Sequence, residues 1–146
     1  MQGARYGMTR GVMMSPLGLP CTPPPWGVIA GISLNMGEIV WRQTIGTSQD
    51  LAPDGLAPKT GTPNIGDPMI TSSGLVFIGA TMDDYLRAFD VSTGRELWKG
   101  RLPAGGQATP MSYEYDGRQY VVILAGGHSS LGTKQRYTLV AFALPD

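Results

Sequence analysis

Short apolar runs, each broken off by turn residues, dominate this chain. They fall at residues 28–45, where two runs stand close together, and at Met69 to Ser72, Leu75 to Gly79, Tyr85 to Phe89, Glu96 to Leu102, Ala108 to Tyr115 and Gln119 to Ala125. No segment of about a dozen residues carries an uninterrupted helical apolar period, so the pattern predicts strands throughout. Tyr85 to Phe89 reads as an alternating strand that runs into a polar turn, Asp90 to Gly94, where Ser and Thr can hydrogen-bond the backbone and Gly can take positive φ. Asp116-Gly117 is a two-residue hairpin signal.

The pattern also repeats. Ile32 to Trp41 and Phe89 to Trp98 carry the same Gly-x-x-x-Trp ending, with the two indoles 57 positions apart, and Phe142-Ala143-Leu144 begins the phrase a third time. A period of that length is one supersecondary unit rather than a domain. A large ring recurring once per unit is what docking neighbouring units requires, so Trp41 and Trp98 are read as seam residues rather than as ligand-stacking ones. Four-stranded units with one Trp apiece predict an all-β fold, a partial β-propeller of about two and a half blades. The divisions are a Pro-rich loop at 1–27 anchored by Trp26, the end of one blade plus a long loop at 28–68, a complete blade at 69–104 and the last blade at 105–146. The passage from Gly46 to Pro68 is too long for a hairpin, and loops of that length tend to be functional or disordered. Two and a half blades cannot close a ring, so the chain is expected to be part of something larger.

Composition narrows the function. The 146 residues include 21 Gly and 12 Pro, and 15% are charged with a formal net charge of zero. With no Lys/Arg cluster there is no electrostatic footprint for nucleic acid or for an anionic membrane. The longest apolar runs fall far short of a membrane span, and the N-terminus lacks a charged-then-apolar signal pattern. Cys21 is alone, so it forms no internal disulfide and is read as an inert buried or loop thiol.

Set in order, the strings SPLGLPC, PPWG, GTPNIG, GLVFIGAT, DYLRAFDVSTGRELWKGRLPAGGQATPM, QYVVI, AGGH, GTK and AFALP cover nearly the whole chain. In that order they resemble the C-terminal end of the membrane-bound quinoprotein dehydrogenases of the glucose and quinate/shikimate type. The phrase around Trp98 is shared by many propellers, whereas RLPAGGQATPM followed by AGGH is specific. The resemblance implies an eight-bladed propeller on the periplasmic face of the inner membrane, held by an N-terminal anchor that this sequence does not contain. It implies pyrroloquinoline quinone (PQQ) as cofactor, a calcium or magnesium ion beside it, a sugar or cyclic polyol as substrate and ubiquinone as electron acceptor. The metal ligands and the catalytic carboxylate are expected upstream of the matched region, so this chain alone is expected to be inactive. Two departures stand out: Gly66-Asp67 replaces a Gly-Gly, and Arg136-Tyr137-Thr138 replaces a Gly-Asp-Tyr. Met1 falls where the family has an interior Met-Gln-Gly, which suggests a truncated reading frame. The contrasting reading is a non-catalytic propeller scaffold or the remnant of a broken gene copy.

Three residues are candidates for contact with substrate or cofactor. Asp83 taken alone is half of an Asp83-Asp84 turn, but the resemblance places it at the pocket end of a blade, where a carboxylate can accept hydrogen bonds from substrate hydroxyls. Asp84 is left as turn. His128, the only histidine, follows two glycines in a loop peculiar to the last unit, and the resemblance places it beside the active-site mouth as a positioning group. Lys134 and the Gly105 to Thr109 turn are weaker candidates, the glycines being read as permitting a tight approach between blades. Arg87 and Arg101 are read as solvated or blade-bridging, and no metal site is read from the residues themselves.

Overall fold

The computed structural model describes residues 3, 5–9, 11, 13–16, 18–50 and 57–144. Among the described residues, nine strands form three antiparallel sheets. The first sheet pairs β1 (Val28–Ser33) with β2 (Glu38–Thr44). The second holds β3 (Met69–Ile70), β4 (Leu75–Ile78), β5 (Tyr85–Asp90) and β6 (Glu96–Arg101) in that spatial order. The third holds β7 (Met111–Tyr115), β8 (Arg118–Ala125) and β9 (Thr138–Ala143). The only helical element among the described residues is a single 3-10 turn, Ser129–Leu131. No helix among them is long and apolar enough to cross a membrane.

Each sheet is a meander, so successive connections fall at alternate ends. The turns at 34–37, 71–74, 91–95 and 116–117 share one end, and Asp116 and Gly117 both take positive φ, 52° and 72°, as a tight type I′ hairpin requires. The connections 45–68, 79–84, 102–110 and 126–137 gather at the other end. Backbone hydrogen bonds stitch these four together across the sheets: Ile65 N–H to Ala80 O, Ala80 N–H to Gly106 O and Gly127 N–H to Gly105 O, at 2.8–2.9 Å. The approach is close enough to require glycine. A Cβ on Gly79 would lie 2.3 Å from Gly106 O.

Side-chain alternation on the central sheet supplies two separate cores. Val76, Ile78 and Phe89 pack with Ile45 and Ala80 against the first sheet, while Leu86 packs with Leu102, Val121, Ile123 and Ala125 against the third, joined by Phe77. β5 is therefore not the half-exposed strand its alternation predicts. Leu86, Arg87, Ala88 and Phe89 are all buried, because a sheet covers each face.

The two repeat tryptophans, Trp41 and Trp98, sit at these seams. The Trp41 Nε1–H donates to Val91 O at 2.8 Å, and its ring covers Gly94, where a Cβ would come within 2.4 Å of the indole. Trp98 stands edge-on to Phe142 of the third sheet, with ring centroids 5.0 Å apart and planes at 76°. Each ring thus joins its own sheet to the next one along the chain.

Candidate functional site

The connection between β4 and β5 carries a buried polar cluster. Arg87 lies on β5 among apolar neighbours, and its guanidinium turns back along the strand to Asp83. Nη1 donates to Oδ1 at 3.0 Å and Nη2 to Oδ2 at 2.5 Å, with both side chains nearly excluded from solvent. The Thr81 hydroxyl also donates to Oδ1, and the Thr47 N–H donates to Oδ2 at 2.7 Å. Charge-assisted and bidentate, this is the arrangement that makes a buried carboxylate tolerable. It also fixes the long 45–68 connection onto the second sheet, since Thr47 belongs to it. Arg87 is thus neither solvated nor a bridge between blades, as its charge suggests; it is the internal counter-ion of Asp83, with Glu96 3.4 Å from its Nε. Arg101 does bridge: it is half-exposed, pairs with Asp50 of the long connection at 2.6 Å and donates to the Tyr85 hydroxyl at 2.7 Å.

A cleft of about 300 Å³ opens beside this cluster. Its walls include Trp26, Thr62, Asp83, Asp84, Thr133 and Lys134. The structure therefore brings Asp83 and Lys134 to one cavity. Trp26, expected as an anchor, holds the N-terminal segment there through its backbone N–H, which donates to Thr60 O at 2.7 Å. Asp84, read from sequence as a plain turn residue, also lines the cleft, and burial pushes its carboxyl above the ordinary value against the opposing pull of Arg101 and Lys134. A larger crevice, about 840 Å³, runs between the first two sheets along Thr44, Lys59, Arg87 and Lys99. It is an inter-sheet seam, and neither Asp84 nor Lys134 reaches it.

His128 stands in the same loop as Lys134 but outside the cleft wall. Its N–H donates to the Thr133 hydroxyl at 2.7 Å, and its carbonyl accepts from Leu131 N–H at 3.1 Å, which closes the short 3-10 turn. Gly127, at φ +70°, pinches the base of this loop: a Cβ there would lie 2.0 Å from Lys134 O. The ring nitrogen Nδ1 is buried and has no hydrogen-bond partner among the described residues. Arg136, one of the departures, closes the neck of the loop through its backbone N–H, which donates to Gly126 O at 3.0 Å. Cys21 is an exposed loop thiol.

Sequence reasoning missed Thr81, Arg87 and Thr47. The signal for Arg87 was present, since a charge inside the run Leu86 to Phe89 demands a partner, although Asp84 and Asp90 stand nearer to it in sequence than Asp83 does. Nothing in the sequence pointed to Thr47, which contributes only its backbone.

The geometry is that of neighbouring wedges with a shared polar end, and comparison with known proteins decides which wedges these are. Residues 1–121 match the family described as the glucose/ethanol/alcohol dehydrogenase PQQ beta-propeller domain. The chain belongs to the PQQ-dependent dehydrogenases. It is 53% identical over its full length to quinoprotein glucose dehydrogenase A of Acinetobacter calcoaceticus, and 45% identical over 99% of its length to the quinate/shikimate dehydrogenase (quinone) of Acinetobacter baylyi. It spans about a fifth of the length of these relatives, 19% and 18%. Among solved structures, the quinohemoprotein alcohol dehydrogenase of Comamonas testosteroni superposes with a TM-score of 0.55 over 74% of this chain and 14% of that one, at 26% identity. The partial-propeller reading of the sequence agrees with both results.

PQQ is the cofactor of this family, and the residues at the polar end suit part of its surroundings. An orphaned imidazole nitrogen, an orphaned carboxamide oxygen on Gln107 and the exposed Lys134 ammonium are the groups that a planar, hydrogen-bonding, carboxylate-bearing molecule engages. A divalent ion is not so served. Among the described residues no three His, Cys, Asp or Glu side chains converge, and the Asp83 oxygens are taken up by Arg87, Thr81 and Thr47.

Proposed function

We propose that these residues form consecutive wedges of a PQQ-dependent dehydrogenase that oxidises a hydroxyl of a sugar or cyclic polyol of the glucose, quinate or shikimate kind. The electrons then pass to ubiquinone at the periplasmic face of the inner membrane. The observation that carries this reading is the meeting of Asp83, Asp84 and Lys134 on one cleft at the loop end of the wedges. The names of the relatives support the substrate class. When bound, the quinone takes the two electrons that leave the hydroxyl carbon as it becomes a carbonyl. This chain's part is positioning. Lys134 offers a cation to a carboxylate or hydroxyl, and His128 offers a half-buried imidazole as a hydrogen-bonding group. Asp83 acts through the loops it anchors, because its oxygens already hold four donors. The calcium or magnesium ion takes its ligands from other blades of the propeller, so the chain alone carries no turnover.

The test is a chimaera in which the chain replaces the matching stretch of the Acinetobacter calcoaceticus enzyme. The proposal expects PQQ-dependent dye reduction with at least one of glucose, quinate or shikimate, and none from the chain alone. A folded chimaera that is inert towards all three overturns it.

A further inference from the structure

Gln107 has an amide that is locked at one end and unpaired at the other. Its Nε2 donates to Thr81 O at 2.7 Å. A backbone carbonyl only accepts, so the nitrogen is the atom that faces Thr81 and the oxygen is the atom left over. That Oε1 is buried and has no hydrogen-bond partner among the described residues. The side chain folds back over Gly105, where a Cβ would come within 2.5 Å of the amide, so only glycine permits the conformation. The surrounding backbone is equally committed: Gly105 O accepts from Gly127 N–H at 2.9 Å and Gly106 O accepts from Ala80 N–H at 2.8 Å.

Gln107 is thereby held between the 79–84 and 126–137 connections, at the same end of the wedges as the cleft. His128, one residue beyond Gly127, carries the other orphaned polar atom. A buried acceptor without a donor is unfavourable, because it has given up water and gained no partner. Two buried polar atoms thus stand without partners among the described residues, on neighbouring loops joined by the Gly127 N–H to Gly105 O bond.

We propose that Gln107 Oε1 is a binding acceptor for an O–H or N–H donor of the molecule held at this end of the propeller. The inference rests on the dehydrogenase reading and deepens it. The donor is a hydroxyl of the sugar or polyol or a ring N–H of the cofactor. In either case the oxygen is oriented in advance by Thr81 and Gly105, so its contact with the ligand carries no reorientation cost.

The test uses Gln107→Leu and Gln107→Met in the chimaera described above, with three readouts. Melting of the cofactor-free protein confirms folding and should fall only modestly, because each variant removes the unpaired Oε1 but also leaves Thr81 O without its Nε2–H donor. Affinity for PQQ, measured by quenching of tryptophan fluorescence in the cofactor-free protein, should fall at least tenfold if the donor belongs to the cofactor. If it belongs to the substrate, cofactor affinity should hold while KM for the sugar or polyol rises at least tenfold at saturating PQQ. Folded variants with both constants within twofold of the unsubstituted chimaera overturn the assignment of Gln107 alone. An unsubstituted chimaera that takes up no PQQ overturns the dehydrogenase reading, and this proposal with it.

Discussion

Arg87 follows Asp83 by four residues and grips both of its carboxylate oxygens from inside a strand buried on two faces. The pair turns a charge in the core into the fastening for the polar end, because Asp83 in turn receives the Thr47 N–H of the long connection. Removing one partner leaves the other charge buried alone. Arg87→Ala is expected to destabilise the chimaera locally by about 3–5 kcal/mol, seen as a fall in melting temperature. Arg87→Met together with Asp83→Leu should recover much of that loss. A melting temperature unaffected by Arg87→Ala would show that the pair does not hold the loop end together.

The seam rings carry a separate expectation. Trp98 is partly exposed, so truncation to Ala should cost less than for a fully buried ring, about 2 kcal/mol, and should loosen the third sheet through loss of the Phe142 contact. Trp41→Phe keeps an aromatic face but loses the bond to Val91 O together with part of the indole's packing, for at least about 1 kcal/mol. Hydrogen exchange of the amides in β8 and β9 for the first variant, and in the 91–95 turn for the second, reads each seam by itself.

The close approach of Gly79 to Gly106 carries a third expectation. Gly79→Ala sets a Cβ against Ile123 Cδ1 and, more seriously, 2.3 Å from Gly106 O, a backbone atom that yields only if the turn shifts. The variant is expected to lose PQQ uptake while far-ultraviolet circular dichroism keeps its strand signature. Gly117→Ala, with open space around its Cβ, strains only its own turn and should keep uptake. Equal uptake by both variants would count against the Gly79–Gly106 approach as a support of the site.

Asp90 gives an acid-limb prediction. Its carboxylate accepts hydrogen bonds from the Ser92 and Thr93 hydroxyls and from both of their N–H groups, and these hold its pKa at about 2. A folded value below the unfolded one means stability that is present above pH ~4 and is lost as pH falls through about 2. Asp90→Asn should therefore flatten the dependence of melting temperature on pH in that window and leave the neutral limb parallel to the original. An unchanged acid limb would remove Asp90 from the account.

Much of the strand pattern was legible in the sequence because turns announce themselves. Asp116-Gly117 and the Asp90 to Gly94 loop fall where their residue chemistry puts them, and the in-phase indoles found their seams. Burial on both faces of β5 was not legible, since the sheets that cover it lie far away in sequence. The site was read in part. Lys134 and Asp83 reach one cleft, but the contribution of Thr47 to the Asp83 oxygens, from 36 residues away, depends on tertiary placement that no local motif encodes. The Gly105 to Thr109 turn was a weaker candidate on account of its glycines, while the significance of Gln107 within it lies in an unpaired atom that sequence does not show.

The most direct measurement is titration of PQQ into the cofactor-free chimaera, followed by tryptophan fluorescence, beside the same titration of the 146-residue chain alone. Consecutive wedges of a quinoprotein propeller should give saturable binding in the chimaera and none in the isolated chain. A folded chimaera that fails to bind, or an isolated chain that binds as tightly as the chimaera, would contradict the account.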